Sequence, residues 1–399
     1  MDRETYPHHQ ASLTDEFFTN SREQPVVLSQ RNGLRTLVEH YITAKRTSGS
    51  PAYTASAGSV LRRWVVWMSE QNYGIEELND PQTGPRILNE YALYLAGRVQ
   101  DKTLAMSTAE RYFAYVSACL SFGVRQGRID RNPALTETAS ESLPQQHRSD
   151  RTDQQFWSKA QREAIVSFVD EEAGSLDADS PDRWLTTRNK ALVRVLAYSG
   201  VRGAEILSHP KDDRDGRNGL RWKNVDLDAG TMLIFGKSQA WERTPIPSKC
   251  TDAISELKQT QAPATTDWPV FATGHPPSLF RTARNQLGTQ YDRLVADVSG
   301  EIWELYRVHS LTPPALTTGG ARQVMQRLTE KAGIKVEDGY LKLHGGRRGL
   351  GDLLYRIDRG HAQDILRHKD LATTQKAYQH IDAEERREQL DTYLEDASR

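Results

Sequence analysis

Between about Val26 and Leu135 the apolar positions recur with the period of an α-helix. Leu34, Leu37, Val38 and Tyr41 stand at i, i+3, i+4 and i+7, and Val60, Leu61, Trp64, Val65 and Met68 repeat the stripe. Ile87 to Leu95 reads as a third helix. Ser107-Thr-Ala-Glu110 reads as a capping box opening a fourth, with Tyr112, Val116 and Leu120 inward and Asn132-Pro133 closing the segment. The pattern predicts a bundle of four or five helices. From Thr136 to about Phe156 apolar residues thin out among Ser, Gln, Asp and Arg, the composition of an exposed linker. Helical spacing resumes at Gln161, and Arg188 to Tyr198 carries Ala191, Leu192, Val195 and Leu196 on one face before Gly200 ends it. The period then changes to two. Leu220-Arg-Trp222, Val225-Asp-Leu227, Thr231 to Phe235 and Thr244 to Pro247, with turn residues between, predict a small antiparallel sheet. After about Ser278 the chain reads as helical again. The fold class expected is mainly α with one small antiparallel sheet, and no repeat or low-complexity tract interrupts it.

A length of 399 residues favours two domains. The expected division is an arm over 1–25, a helical domain over 26–135, a linker over 136–156, a second domain over 157–381 and a tail helix over 382–399. Hydrophobic residues make up 37% and charged residues 26% of the chain. No apolar run approaches the roughly 20 residues of a membrane-spanning helix, and the polar N-terminus does not read as a signal peptide. The expectation is a soluble, cytoplasmic, nucleoid-associated protein. Cys119 and Cys250 stand in neither a pairing nor a ligand spacing, so neither disulfides nor zinc are expected to organise the fold. Net charge is −1, so no global field marks a nucleic-acid partner, but a local patch suffices to bind phosphate. Leu341 to Lys369 is such a segment, with seven Lys or Arg against three Asp, and with three histidines.

Six residues in the second half carry candidate chemistry: Arg202 after the Tyr198-Ser-Gly-Val turn, Lys237 on the hairpin, His344 and Arg347 as His-x-x-Arg, His368, and Tyr378. Each has an ordinary structural reading. Arg202 pairs readily with Glu205 three positions on, a hairpin lysine is usually solvated, and a helix tyrosine usually packs. Together they describe a reaction. Two guanidinium forks match the non-bridging oxygens of a phosphodiester. A tyrosine can attack phosphorus, but its free pKa of about 10 calls for cationic neighbours and a base. His344 or His368 could take the proton or hold the phosphate, and Lys237 could protonate the departing oxygen. No acidic cluster suggests a metal, and no cofactor is expected.

These residues resemble the tyrosine recombinases, or phage integrases. Tyr198 to Leu207 resembles the family's first arginine motif, Leu220 to Pro247 its three-stranded sheet with the lysine in Gly236-Lys237-Ser238, and His344-Gly-Gly-Arg347 its His-x-x-Arg box. Leu366-Arg-His368 and Thr373 to Tyr378 resemble the closing histidine and tyrosine. The resemblance spans nearly all of Val26 to Ile381. It implies a helical, SAM-like core-binding domain followed by a catalytic domain of the DNA breaking-rejoining fold. It also implies a metal- and ATP-independent strand transfer in which Arg202, Lys237, His344, Arg347 and His368 surround the scissile phosphate and Tyr378 forms a 3′-phosphotyrosyl link. Implied partners are double-stranded DNA bearing inverted repeats, a homotetramer and an accessory directionality factor. Integration or excision of a viral, plasmid or genomic-island element is the implied role. A dimer resolvase, a DNA-binding protein of the same fold without strand exchange and a type IB topoisomerase are the alternatives.

The chain departs from the family at Arg367, where glycine is usual, at Gly346, where leucine is usual, and in setting Tyr378 one position further from His368. Tyr340, Tyr355 and Tyr393 are the alternative nucleophiles. The polar stretch Ser208 to Gly219 is longer than expected and reads as a solvated insertion, with a loop that touches DNA as the alternative. The tail, with Leu390, Tyr393 and Leu394 at helical spacing, reads as a short helix that must dock, in this family often on a neighbouring protomer.

Overall fold

The structure, a computed structural model, describes residues 25–48, 51–144, 154–177, 180, 183–210, 212, 214–236, 238–337, 339–367 and, beyond these, 374, 375, 377, 378, 381, 387, 390 and 391. Of the arm expected over 1–25 all but Pro25, which opens a helix, and most of the tail over 382–399 lie outside the described residues. The chain divides into two compact units, Met1–His147 and Arg148–Arg399.

The first unit is helical: α1 (Pro25–Ser48), α2 (Pro51–Glu70), α3 (Ile75–Asn79), α4 (Thr83–Gln100), α5 (Met106–Arg125) and the short α6 (Glu137–Ser140). Its core is built from the stripes read in the sequence, with Leu37, Tyr41, Leu61, Trp64, Met68, Leu88, Leu95, Val116 and Leu120 all buried. Two local expectations differ from what is found. The capping box at Ser107 is absent: α5 starts at Met106 with Ala105 in extended conformation as its N-cap, and the Ala105 carbonyl accepts from Thr108 and Ala109. The start of the expected linker is packed. Thr136 caps α6 through Ala139 N–H, Ala139 is buried, and α6 lies on α4.

The second unit opens on Gln155 to Trp157, which are docked rather than loose. Trp157 is buried and donates Nε1–H to the Lys342 carbonyl at 3.0 Å, while Gln155 bonds Tyr340 O and Lys342 N. Then come α7 (Lys159–Gly174), α8 (Arg183–Tyr198) and one turn, α9 (Gly203–Ile206). A three-stranded antiparallel sheet follows in sequential order, β1 (Val225–Asp226), β2 (Thr231–Phe235) and β3 (Trp241–Pro245), with Met232 opposite Thr244 and Phe235 opposite Trp241. Met232 and Ile234 alternate inward on β2. Leu220-Arg-Trp222, expected as a strand, is not part of the sheet. Its backbone is spent on another segment, Val270 N donating to Leu220 O and Trp222 N to Trp268 O, and a 3₁₀ turn follows at Trp222–Asn224.

The remaining helices are α10 (Ser248–Gln261), α11 (Pro276–Leu287), α12 (Tyr291–Asp297), α13 (Ile302–Val308), α14 (Thr318–Lys331), α15 (Leu343–Ile357) and α16 (Arg359–Leu366). Helix α15 packs on both α8 and α16. The approach to α8 is close enough that a Cβ on Gly346 would stand 2.4 Å from the Leu196 carbonyl oxygen. A leucine cannot occupy that position without moving a helix, which accounts for this departure from the family. Among the described residues no helix is long and apolar enough to cross a membrane.

Candidate active site

Helix α8 ends at Tyr198, Gly200 turns the chain with φ +68°, and Arg202 becomes the N-cap of α9. Glu205, two residues inside that helix, reaches back with Oε2 to the Arg202 backbone N–H at 2.7 Å and with Oε1 to Arg202 Nη1 at 2.9 Å. The ordinary ion pair considered for Arg202 therefore exists. It is not the whole arrangement, because Arg367 Nη2 donates to the same Glu205 Oε2 at 2.6 Å. Glu205 is 2% exposed, so one buried carboxylate holds two guanidinium groups.

Arg347, on the second turn of α15, is also buried and donates Nη1 to the Gly200 carbonyl and Nη2 to the Leu366 carbonyl. It thus fixes the arginine turn and the end of α16 to one helix. Burial, and then the neighbouring charge of Arg202, push its pKa down to about 9, which leaves it charged at neutrality. His344 stands at the first turn of the same helix and is solvent-facing. Partial burial of its ring, with Arg348, Arg347 and Arg202 nearby, pushes its pKa down to about 4. At pH 7 His344 is therefore a neutral imidazole.

Tyr378 is 2% exposed. Its ring lies 5.3 Å from that of Tyr355 and 6.3 Å from that of Phe156, and its hydroxyl sits over Gly351 of α15 so closely that a Cβ there would be 1.8 Å from the phenol oxygen. Burial pushes its pKa up to about 12, against the pull of Arg347 and Arg348. The phenol is thus within the field of the cationic cluster but sheltered from water. Tyr355 is buried in the same small core under Arg359. Tyr340 packs against the main core, and Tyr393 lies outside the described residues.

Arg202, His344, Arg347 and Tyr378 are therefore brought into one electrostatic neighbourhood by α9, α15 and the segment after α16. Lys237 and His368 lie outside the described residues. The sequence did not single out Glu205 as the shared anchor, although its i+3 spacing from Arg202 was visible. Nor did it assign a partner to Arg367, which closes α16 in the left-handed conformation, φ +51°, where glycine would be unstrained. Among the described residues no cluster of three or more His, Cys, Asp or Glu side chains could hold a metal ion.

Comparison with known proteins places this geometry in context. The phage integrase family description matches residues 159–385. The tyrosine recombinase XerC of Halalkalibacterium halodurans is 24% identical over 286 residues, covering 70% of this chain and 73% of the relative. Among solved structures, the XerH site-specific recombinase in a post-cleavage complex with palindromic difH substrate aligns with a TM-score of 0.54 at 15% identity, over 92% of this chain and 97% of that one. The Tn1549 transposon integrase bound to transposon right-end DNA aligns at 0.55 and 14% identity, over 88% and 98%.

Proposed function

The chain belongs to the phage integrase family, the tyrosine recombinases, whose members are site-specific recombinases acting through a DNA–tyrosine intermediate, and on that premise we propose that it cuts and rejoins duplex DNA with Tyr378 as nucleophile. The observation that carries the assignment of residues is the convergence of Arg202, His344, Arg347 and Tyr378 around the junction of α9, α15 and α16. In this reading Arg202 and Arg347 hold the non-bridging oxygens and meet the charge that develops on the pentavalent phosphorus, the kind of fixed electrostatic stabilisation that lowers barriers most. His344, neutral at pH 7, accepts the phenol proton or donates a ring N–H to the phosphate, and His368 completes the cradle. Lys237 protonates the departing 5′ oxygen. The phosphotyrosyl link conserves the bond energy, so religation needs no nucleotide. Because the phenol starts sheltered against Gly351, attack requires the Tyr378 segment to move out of its pocket first.

The substrate proposed is an attachment site with inverted repeats, bound by four protomers with an accessory directionality factor, and the role is integration or excision of a mobile element. A second reading is dimer resolution. Recombination between two unlike sites supports the first, and between two identical sites the second.

The chemistry is tested with a nicked suicide duplex that traps the covalent adduct. Wild-type protein is expected to accumulate adduct, and Tyr378→Phe to bind DNA with near-unchanged affinity and form none. Adduct persisting in Tyr378→Phe reassigns the nucleophile.

A further inference from the structure

The described residues of the stretch Ser208–Gly219, expected as a solvated insertion, are anchored and partly buried. At its base Ser208 bridges both Asn218 and Thr317, and its N–H donates to the Leu316 carbonyl at 3.0 Å. At its far side Gly216, with φ +80°, is pressed onto the hairpin: a Cβ there would lie 2.4 Å from Phe235 Cβ and 2.9 Å from the Trp241 ring. Arg217, 8% exposed, extends its guanidinium between two elements. Nη1 donates to the Ala204 carbonyl in α9 at 3.1 Å and Nη2 to the Gly236 carbonyl in the β2–β3 turn at 2.8 Å, over the Phe235 ring. A second tie comes from β3. Glu242 accepts from Ser238 Oγ and lies 3.4 Å from Arg367 Nε, the same arginine that holds Glu205. The residues on both sides of Lys237 in the sequence are therefore fastened to α9, the helix that Arg202 caps.

From this geometry we propose that the 208–219 insertion is a clamp that fixes the β2–β3 turn against the arginine turn, with Arg217 as its positioning residue. The inference rests on the reading of Lys237 as proton donor to the leaving oxygen. A hairpin turn left to itself belongs to the least stable parts of a fold, and a general acid misplaced by about 1 Å can lose on the order of a hundredfold in rate. One guanidinium shared by two carbonyls removes that freedom before DNA arrives.

The experiment compares two suicide duplexes, identical except that the 5′-bridging oxygen at the scissile phosphate is replaced by sulfur in one. A thiolate departs without protonation, so a defect confined to the leaving-group proton disappears on the sulfur substrate. Full-length Arg217→Ala and, as a disruption of the neighbouring contact between the insertion and Phe235 of the hairpin, Gly216→Ala are each expected to slow adduct formation by on the order of a hundredfold on the oxygen substrate, yet to stay within about threefold of wild type on the sulfur one. Lys237→Ala is run beside them. If it is rescued by sulfur and the two clamp variants are either unimpaired or equally slow on both duplexes, the clamp is overturned and the acid assignment stands. If Lys237→Ala is not rescued, the acid assignment itself fails and takes this role of the clamp with it.

Discussion

Glu205 is a carboxylate almost out of contact with water, and an isolated buried charge of that kind would be strongly destabilising. It is tolerated because Arg202, Arg367 and a backbone N–H share it. Its spacing from Arg202 was readable along the chain, but its second guanidinium comes from 162 positions later, and no local pattern announces that pairing. His344 gives a testable consequence of the same cationic crowding. Its folded-state pKa, about 4, lies below the ordinary 6.5, so between those values the unfolded chain binds more protons than the folded one. Stability therefore rises with pH across that window and is lost as pH falls from 6.5 toward 4. Melting temperatures of wild type and His344→Gln, measured at pH 6.5 and 4.5, are expected to show a smaller acid-induced drop in the variant, and equal drops would mean the imidazole is not held neutral. Because the residue keeps part of its surface in water, the difference is expected to be modest.

At the scale of elements, the seating of α15 on α8 decides whether Arg347 reaches the Gly200 and Leu366 carbonyls. Gly346 permits that seating, with the Leu196 carbonyl 2.4 Å from where a Cβ would be. Gly346→Leu, which restores the residue usual in the family, is expected to destabilise by roughly 1–3 kcal/mol or more through overpacking. Gly346→Ala is expected to fall between it and wild type in thermal or denaturant melts. An unchanged midpoint in Gly346→Leu would mean that the two helices are not in contact there. The helices of the two units were legible, since the stripes at Leu34–Tyr41, Val60–Met68 and Ala191–Leu196 became largely buried faces, whereas Leu390 of the expected tail stripe is exposed; β2 followed from alternation and turns, while β3 begins at Trp241, three residues before the strand expected at Thr244. What misled was local capping chemistry at Ser107 and the apolar alternation at Leu220, where hydrogen bonds to distant backbone took the place of the sheet ladder.

At the scale of the whole molecule, the units Met1–His147 and Arg148–Arg399 each enclose a large apolar core of their own. Separate cores imply separate cooperative transitions. Calorimetry of the intact chain is expected to resolve two, one of them reproduced by a fragment spanning 148–399, whereas a single two-state transition for the full chain would show the units to be energetically fused. The sequence by itself determined the helical stripes, the small sheet, the family and the side-chain types the chemistry needs, because those depend on periodicity and short motifs that survive as local signals. Only the tertiary structure decided that Glu205 is shared, that Tyr378 rests sheltered against Gly351, and that Arg217 ties the insertion to the hairpin. Those depend on burial and on contacts between residues far apart in sequence, which exist only once the chain has closed on itself.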